Sequence, residues 1–392
     1  MRIAYVMHTR FPTEKAHGHQ VAQVCAALVQ MGHDVTIVAP DLPTPITGSP
    51  AAYYGTADTL TVRRLPTFHA LGRWYIPGFL AFAVSMWSYR RALRKYFSME
   101  RFDLLYVRST AVLPALIPLG SPIIFELHTV PGRGQSVFVS LCNRVSLVVC
   151  LTSAMRDQVR ALGVDGRRLL VEADAVDLHR YARPLPQANA KRKWSLPSDR
   201  PVIGYVGSLV TFDNVEKGVS ILIEALAQLK ARGVRVFGWI VGGPRAFGDR
   251  ACALARLRGL TDAEIRIQNA VSAADVPSAI HACDVCVYPA PASDHPYFRR
   301  DASPLKLFEY LAAGHPVVCA DIPPIRDVVS SASVRLVRPG DAMSLAEGIE
   351  DILTHSQSAA KRAEEGLRIA SEHTWEKRMG RILQILKQQK HS

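Results

Sequence analysis

Residues 2–40 read RIAYVMHTRFPTEKAHGHQVAQVCAALVQMGHDVTIVAP. The short runs RIAYVM and HDVTIVAP have the apolar character of buried strands, and between them HGHQVAQVCAALVQM has the spacing of a helix that Gly32 ends. Two such strands joined through a helix lie parallel, because a helical crossover returns the chain in the same direction. The stretch therefore predicts an α/β fold with a parallel sheet.

The same alternation of strand and helix patterns extends along the chain. In the first half, near-continuous apolar runs that suit strands covered on both faces are DLLYVR, SPIIFELH and SLVVCL. From Pro201 onwards the alternation of strand and helix patterns begins again, and the strand-like runs are PVIGYVGSL, VRVFGWIVGG, AEIRIQNAV, CDVCVYP and SVRLV. The sequence predicts two doubly wound, Rossmann-like domains that face a cleft, with ligands at the carboxyl ends of the strands.

Length and local composition set the expected domain boundaries. A chain of 392 residues is longer than one hydrophobic core normally supports. Residues 183–200 are irregular, basic and interrupted by prolines, which is typical of a linker. We therefore expect an N-terminal domain over 1–182, a C-terminal domain over 201–372, and a helix over 373–392 that packs back on the N-terminal domain.

The net charge of +13 is spread over both halves of the chain, without zinc-finger spacing or an aromatic RNA-binding motif. Anionic small molecules or an anionic membrane surface are therefore better candidate partners than nucleic acid. The seven scattered cysteines, including Cys283 and Cys286, are expected to be reduced core residues. No signal-peptide pattern precedes His8, and the apolar stretch from about Tyr75 to Trp87 is too short to cross a bilayer. We expect a cytoplasmic protein, either soluble or peripheral on the inner face of the membrane.

The stretch DASPLKLFEYLAAGHPVV, residues 301–318, contains residues that typically begin and end a helix, followed by the apolar start of a buried strand. Ser303 suits the N-cap and Pro304 the first helical position. Gly314 suits the left-handed cap that ends a helix. The pattern predicts a helix over 304–313.

Lys306 and Glu309 share one face of this predicted helix, where they form either a solvated ion pair or part of a site. The helix follows the strand CDVCVYP, so its N-terminus should lie at the carboxyl edge of the second sheet. Backbone N–H groups and the helix dipole attract phosphate there. Further along, the Glu309 carboxylate can accept hydrogen bonds from two ribose hydroxyls. One helix would then hold both parts of a nucleoside diphosphate.

These segments together resemble a known family. They are SPLKLFEYLAAGHPVVCA, YVGSL, EKG, WIVGGP, CDVCVYP, HTRFPTEKAHGHQVAQVCAAL and GHDVTIVAP, and their order and spacing are similar to those of the family 4 retaining glycosyltransferases of GT-B fold. The resemblance covers nearly the whole chain. It implies transfer of a sugar from a nucleoside-diphosphate sugar to an acceptor hydroxyl, on a lipid-linked, glycan or small-molecule acceptor.

The resemblance also assigns donor-binding residues around the predicted helix. It implies that Glu309 binds the ribose hydroxyls and that Asp301, where glutamate is usual, positions the donor sugar. Aspartate is one methylene shorter, which shifts the sugar contact towards backbone groups around Ala302 to Leu305, with Ser303 and Pro304 among them. Asp301 equally suits an ordinary surface loop.

The implied diphosphate site departs from the family pattern. Lys217 matches the lysine that binds the diphosphate, but Ser208 stands where arginine is usual. Lys217 and the helix dipole can still hold a diphosphate with one cation fewer. Arg299 or Arg300 is a candidate to replace the missing charge, although both equally suit a solvated loop.

Three glycines and one histidine complete the implied site. Gly242 and Gly243 let the backbone approach the donor, and Gly18 resembles the glycine loop near the donor phosphate. His128 ends the strand FELH and matches the family's reaction-centre histidine, which contacts the transferred sugar. The alternatives are an ordinary helix start for Gly18 and a structural hydrogen bond for His128.

The implied mechanism retains configuration at the anomeric carbon, because the acceptor attacks on the face that the diphosphate leaves. Lys217 and the helix dipole stabilise the leaving group, so neither a metal ion nor another cofactor is expected. Domain closure would exclude water.

Two other functions fit parts of the pattern. A GT-B nucleotide-sugar epimerase would share both domains and the nucleotide site. A membrane-surface binding protein without transfer activity would use residues 75–95, where an apolar run precedes four cations: Arg90, Arg91, Arg94 and Lys95.

Overall fold

The computed structural model describes residues 1–56, 60–68, 70, 77–211 and 214–389. The chain divides into two compact units, one formed by Met1–Ala173 with Trp375–Ser392 and the other by Asp174–Thr374. Each unit contains its own parallel sheet with helices between the strands. The predicted α/β architecture of two doubly wound domains is confirmed.

The sheet of the first unit has the strand order β3-β2-β1-β4-β5-β6-β7, with parallel neighbours throughout. Its strands are β1 (Arg2–Val6), β2 (Asp34–Pro40), β3 (Thr61–Leu65), β4 (Leu104–Val107), β5 (Ile123–Leu127), β6 (Leu147–Cys150) and β7 (Leu169–Val171). The helices along this part of the chain are α1 (Ala16–Gln30), α2 (Pro50–Tyr54), α3 (Gly78–Met99), α4 (Leu113–Leu116), α5 (Gln135–Cys142) and α6 (Ser153–Ala161). The opening stretch thus forms β1, α1 and β2, as its pattern predicts.

The sheet of the second unit has the strand order β10-β9-β8-β11-β12-β13, again with parallel neighbours. Its strands are β8 (Val202–Val206), β9 (Phe237–Val241), β10 (Ile265–Gln268), β11 (Val285–Tyr288), β12 (Val317–Ala320) and β13 (Arg335–Val337). Its helices are α7 (Gln187–Lys193), α8 (Val219–Ala231), α9 (Arg245–Leu257), α10 (Val276–His281), α11 (Leu305–Ala312), α12 (Pro323–Arg326), α13 (Ala342–Thr354) and α14 (Ser356–Glu372).

The central strands are buried on both faces, which explains their near-continuous apolar sequence. Every residue of β4, β5, β6, β8, β9, β11 and β12 is buried. Cys283 and Cys286 are free and buried, in agreement with their predicted role as core residues. A Cβ on Gly204 of β8 would lie 2.0 Å from the Cys283 Sγ, so the thiol fills the space that this glycine leaves.

The predicted linker over 183–200 is wrong, because this segment is a folded part of the second unit. It contains α7, whose basic last turn resembles a solvated loop in sequence. Lys191 of that turn is buried, with its Nζ 2.7 Å from the Asp284 Oδ2. Gln187, at the start of α7, donates to the Cys283 carbonyl oxygen at 3.0 Å. The boundary between the units therefore falls after Ala173, earlier than the sequence predicts.

The last helix, α15 (Trp375–Gln389), belongs to the first unit and packs against α1. The Arg378 side chain of this helix is fully buried, as is that of Glu126. The Arg378 Nη2 lies 3.0 Å from the Glu126 Oε2. The Arg378 Nε donates to the Ala173 carbonyl oxygen at 2.6 Å. One turn on, Arg381 pairs with the more accessible Glu172 at 2.7 Å.

Within the described residues, no helix combines the length and apolarity needed to cross a bilayer. Helix α3 nevertheless exposes large apolar side chains, including Phe79 at 73% and Trp87 at 66% exposure. Tyr75 and Ile76, part of the predicted interfacial segment, lie outside the described residues.

The buried pair of Arg378 and Glu126 predicts a large stability effect. We expect Arg378→Met to lower the free energy of unfolding of the first unit by about 3–5 kcal/mol, because it leaves Glu126 as a buried charge without its ion partner. Arg381→Met is the matched control on the same helix and should cost about 1 kcal/mol or less. Urea denaturation followed by circular dichroism measures both. Equal costs for the two variants would contradict this assignment.

Candidate active site

The order of the second sheet reverses between β8 and β11, so the loops that follow these strands leave towards opposite faces. Two of the glycines here have left-handed backbone, Gly207 with φ +150° and Gly218 with φ +88°. A Cβ on Gly218 would lie 2.8 Å from the Ala290 backbone nitrogen, in the loop after β11. The loops can approach this closely only because glycine occupies position 218.

Gly242 and Gly243 follow β9 beside the same loops. A Cβ on Gly242 would lie 2.0 Å from the Gly207 carbonyl oxygen, whereas a Cβ on Gly243 would meet no atom within 4 Å. The Leu209 N–H donates to the Gly243 carbonyl oxygen at 2.9 Å, which joins the two loops. The structure therefore brings both predicted glycines to the switch point, but only Gly242 is required there for steric reasons.

Lys217 and Ser208 lie on the loop that connects β8 to α8. The Lys217 Nζ is 4.8 Å from the centre of the Tyr297 ring, a cation–π contact. The Ser208 hydroxyl donates to the Val210 carbonyl oxygen at 2.9 Å, within its own loop. Lys217 thus brings a cation to the switch point, and Ser208 brings none.

Helix α11 begins at Leu305, one residue later than predicted, and Ser303 is not its N-cap. The Ser303 hydroxyl instead accepts a hydrogen bond from the Asp174 backbone N–H at 2.9 Å. Pro304 occupies the N-cap position and its side chain accepts no capping bond. Gly314 has φ +71°, as a left-handed cap requires. The predicted position of Ser303 is therefore wrong because a distant backbone group binds its hydroxyl.

Glu309 lies on α11 with 21% of its side chain exposed. Burial raises the pKa of its carboxyl group, while Arg180, the Tyr181 hydroxyl and Lys306 act in the opposite direction. The Arg180 Nη1 is 3.6 Å from the Glu309 Oε1. Sequence reasoning missed Arg180, because it comes from a turn far away along the chain and no local motif marks it.

Asp301 ends a π-helical turn, Tyr297–Asp301, immediately before α11. Its side chain is buried and pairs with Arg300, whose Nη2 donates to the Oδ2 at 2.9 Å. Arg299 is exposed and pairs with Asp294 at 2.6 Å. Both arginines therefore already have carboxylate partners, and Asp301 is a buried ion-paired residue rather than part of a solvated surface loop.

The Lys306 side chain is directed towards Tyr205 and Tyr288, and not towards Glu309, the neighbour that its i,i+3 spacing on α11 suggests. Its Nζ donates to the Tyr205 hydroxyl and lies 4.0 Å from the centre of the Tyr205 ring and 4.9 Å from that of Tyr288. Among the described residues it forms no ion pair with Glu309. The alternative of a solvated i,i+3 ion pair is therefore wrong, because the Tyr205 and Tyr288 rings of β8 and β11 contact the ammonium group instead.

The first unit has a second polar cluster at the carboxyl ends of its strands. The Nε2 of His128 lies 2.7 Å from the Glu126 Oε1, and because an ionised carboxylate only accepts, this nitrogen is the donor. Gln20 and Tyr106 also donate to Glu126. Burial opposes the charge, but Arg378 and His128 hold the pKa of Glu126 well below its usual value. Glu126 therefore fixes the orientation of the predicted reaction-centre histidine.

Gly18 lies in the first turn of α1, two residues after the helix begins at Ala16. A Cβ at this position would lie 2.3 Å from the Tyr54 hydroxyl oxygen. Nearby, burial and the Arg108 cation lower the pKa of His8 to about 4 and that of His17 to about 3. Sequence reasoning missed Arg108 and His8, although both follow strands at the switch point of this sheet.

Comparison with known families decides the identity of the chain. Residues 18–180 match the family described as Glycosyltransferase Family 4, and residues 200–355 match the family described as Glycosyl transferases group 1. The chain belongs to the family 4 glycosyltransferases. The resemblance stated from its motifs is confirmed, and the enzyme class is glycosyltransferase.

Individual relatives of this glycosyltransferase are distant. It is 25% identical to the phosphatidyl-myo-inositol mannosyltransferase of Mycolicibacterium smegmatis, over 92% of this chain and 86% of the relative. It is 23% identical to the GDP-mannose-dependent alpha-mannosyltransferase of Mycobacterium tuberculosis, over 86% and 84% of the two chains.

Solved structures of similar fold support the GT-B architecture. Anabaena HepE in complex with UDP and glucose matches with a TM-score of 0.72 and 19% identity, over 98% of this chain and 99% of that one. The sucrose-phosphate synthase of Thermosynechococcus elongatus matches with a TM-score of 0.76 and 19% identity, over 99% and 98%. At these sequence identities the structural similarity is evidence for the fold alone.

The adjacent glycines after β9 provide a matched test of the switch-point geometry. We expect Gly242→Ala to lower the free energy of unfolding by about 1–3 kcal/mol, because its Cβ displaces the Gly207 carbonyl group. Gly243→Ala has open space and should change stability by about 0.5 kcal/mol or less. Thermal unfolding of both variants measures the difference. Equal stability of the two would show that the β8 loop does not require a glycine at position 242.

Proposed function

We propose that this glycosyltransferase transfers a sugar from a nucleoside-diphosphate sugar to an acceptor hydroxyl with retention at the anomeric carbon. The observation that carries the proposal is the position of Glu309, a half-buried carboxylate on the helix that starts beside the second unit's switch point. The names of similar proteins support it, since one is described as GDP-mannose-dependent and another was solved with UDP and glucose.

The donor site that we propose divides the nucleotide between two features of the second unit. Glu309 accepts hydrogen bonds from the ribose hydroxyls, and Arg180 holds the carboxylate in position at 3.6 Å. Lys217 and the backbone at the start of α11, from Ser303 to Leu305, bind the diphosphate. Gly243 leaves room for the nucleotide, and Gly242 lets the loop after β9 approach Gly207 closely enough to shape the site. Asp301 acts through the position of this backbone, because Arg300 already pairs with its carboxylate.

The proposed reaction breaks the bond between the anomeric carbon and the β-phosphate oxygen, which keeps the electron pair. The acceptor hydroxyl oxygen forms the new bond on the same face, and its proton goes to the departing phosphate oxygen. Lys217 and the α11 dipole stabilise the developing negative charge. The scheme assigns the charge stabilisation to the protein and requires no metal ion or other cofactor.

For the first unit we propose that His128 contacts a hydroxyl of the transferred sugar. Glu126 accepts from its Nε2 and so presents the ring in one orientation. Gly18 is proposed to leave the start of α1 open to a phosphate, although its close contact with Tyr54 also gives it a packing role.

Ligand binding and product formation test the function together. Thermal shifts with UDP-, GDP-, ADP- and dTDP-sugars identify the donor, because a ligand that binds the folded state stabilises it. We expect Glu309→Ala to weaken binding of the matching nucleoside by about tenfold or more, since charge-assisted hydrogen bonds to the ribose are lost. Because the Glu309 pKa is raised, wild-type affinity should also fall as pH decreases and the carboxylate becomes protonated.

Lys361→Met, an exposed change on α14, is the control and should bind as the wild type does. Unchanged nucleoside binding by Glu309→Ala would remove the ribose assignment. Conversion of the donor sugar with release of free nucleoside diphosphate, and no acceptor product, would favour the epimerase.

A membrane surface is the second candidate partner, and helix α3 favours it. Leu80, Val84 and Trp87 are exposed at helical spacing, and the exposed Arg91 and Lys95 continue the same stripe. An apolar half followed by a cationic half is the pattern of a helix that lies at an anionic lipid surface. We propose that α3 docks the enzyme on such a surface, where a lipid-linked acceptor would be available.

Arg90 is not part of this lipid-facing stripe. Its Nε donates to the Ala111 carbonyl oxygen at 2.7 Å, so its charge is directed into the first unit. Arg90 therefore differs from Arg91 and Lys95, which are exposed on the stripe.

Co-sedimentation with vesicles of anionic phospholipid tests the α3 proposal. We expect Arg91→Ser with Lys95→Ser to weaken binding by about 30-fold, at about 1 kcal/mol for each cation near the surface. Trp87→Ser should also weaken it, whereas Leu257→Ser, which removes an equally exposed apolar side chain from α9, should not. Binding that is insensitive to anionic lipid and to the α3 variants would contradict the proposal.

A further inference from the structure

Two lysines of the second unit lie at its switch point without a carboxylate partner. In the part of the chain that the structure describes, neither Lys217 nor Lys306 forms an ion pair, and both ammonium groups rest on tyrosine rings. They are close enough for the charge of Lys217 to destabilise that of Lys306. Glu309 offsets this repulsion only in part, because burial and Lys217 outweigh it and still lower the pKa of Lys306. An anion between the two ammonium groups would relieve the repulsion.

Lys306 reaches this position because of the residues beneath it. Its aliphatic chain crosses Gly207, where a Cβ would lie 3.3 Å from the Lys306 Cδ. Its ammonium group donates to the Tyr205 hydroxyl, which in turn donates to the Ser208 carbonyl oxygen at 2.5 Å. The Ser208 side chain turns back to Val210. The cation beside this turn is therefore Lys306, although it is encoded about a hundred residues later in the chain.

We propose that Lys306 is the second cation of the diphosphate site and binds a phosphate oxygen opposite Lys217. This assignment rests on the proposed function, and it identifies which side chain supplies the charge that an arginine at position 208 would bring. Tyr205 acts as a positioning residue, because its hydroxyl joins the ammonium group to the Gly207–Ser208 turn. Neither the position of Lys306 in its helix nor its spacing from Glu309 indicates this role.

The site also predicts that diphosphate binding is coupled to protonation. Burial against the rings and repulsion by Lys217 lower the pKa of Lys306 well below its usual value. A bound phosphate favours the ammonium form, so binding should take up a proton wherever free Lys306 is partly neutral. The titratable groups that face Lys306 are Lys217, Glu309, Cys319, Tyr205 and Tyr288. Burial raises the pKa of Cys319 and of both tyrosines, and it also raises the pKa of Glu309.

Calorimetry with Lys306→Met tests the proposal on the full chain. The probes are the nucleoside diphosphate that binds the wild type most tightly among UDP, GDP, ADP and dTDP, and the matching nucleoside. We expect the Kd of the diphosphate to rise about tenfold or more, because one charge-assisted hydrogen bond is lost. The Kd of the nucleoside should change by about twofold or less, which is below 0.5 kcal/mol. Lys217→Met should show the same selective loss, and Lys361→Met should show none.

Two further measurements separate a binding role from a structural one. Adding Ser208→Arg to Lys306→Met should restore much of the diphosphate affinity, because it returns a cation to the same turn. In the wild type, binding enthalpies in buffers of different ionisation enthalpy should show proton uptake between neutral pH and the usual lysine pKa, because the pKa of free Lys306 is lowered. This second readout needs no variant and so does not depend on how Lys306→Met folds.

The possible results distinguish this assignment from the proposed function. A wild-type protein that binds no nucleoside diphosphate would overturn the proposed function itself. If the wild type binds and Lys306→Met binds the diphosphate equally well, only the Lys306 assignment is overturned. Equal losses of nucleoside and diphosphate affinity, or an absence of proton uptake in the wild type, would also overturn it.

Discussion

Parallel pairing of strands is the constraint on which the rest of each unit depends. Helical crossovers return the chain in one direction, so the carboxyl ends of β1 to β7 share one edge, and those of β8 to β13 share another. The strand order reverses beside β1 and beside β8, and the loops there diverge. His8, Arg108 and Glu126 of the first unit, and Lys217 and Lys306 of the second, lie at or beside these carboxyl edges.

Loops of the second unit approach one another so closely that a side chain at certain positions would clash, and glycine avoids these clashes. Gly207, Gly218 and Gly242 each lie where a Cβ would press on a neighbouring loop or side chain. The space gained is lined by tyrosine rings and by the cations of Lys217 and Lys306. Uncompensated charge is unfavourable for folding, and it is a common cost of a preorganised anion site. Such a local cost is consistent with the proposed diphosphate site, where a bound anion would offset it.

Glu126 of the first unit and Glu309 of the second illustrate opposite electrostatic solutions for a carboxylate that is removed from solvent completely or in part. Glu126 is surrounded by Arg378, His128 and other donors, which keep it charged despite complete burial. Glu309 has Arg180 only at 3.6 Å, and burial raises its pKa. A carboxylate whose acceptors are already occupied acts as a structural centre. One that is poorly compensated retains acceptors for a ligand, which is why Glu309 and not Glu126 is assigned to the nucleotide.

The sequence by itself determined the α/β class, the strand and helix order, the glycosyltransferase family, and the position of Glu309 on a helix after β11. These features follow from local periodicity and from motifs that neighbouring residues encode. Only the tertiary structure decided that Ser303 binds the Asp174 N–H, that residues 183–200 fold into the second unit, and that Lys306 contacts Tyr205 rather than Glu309. Each of these depends on groups that are distant in the chain, and side-chain direction beyond the helix face is set by packing and not by spacing.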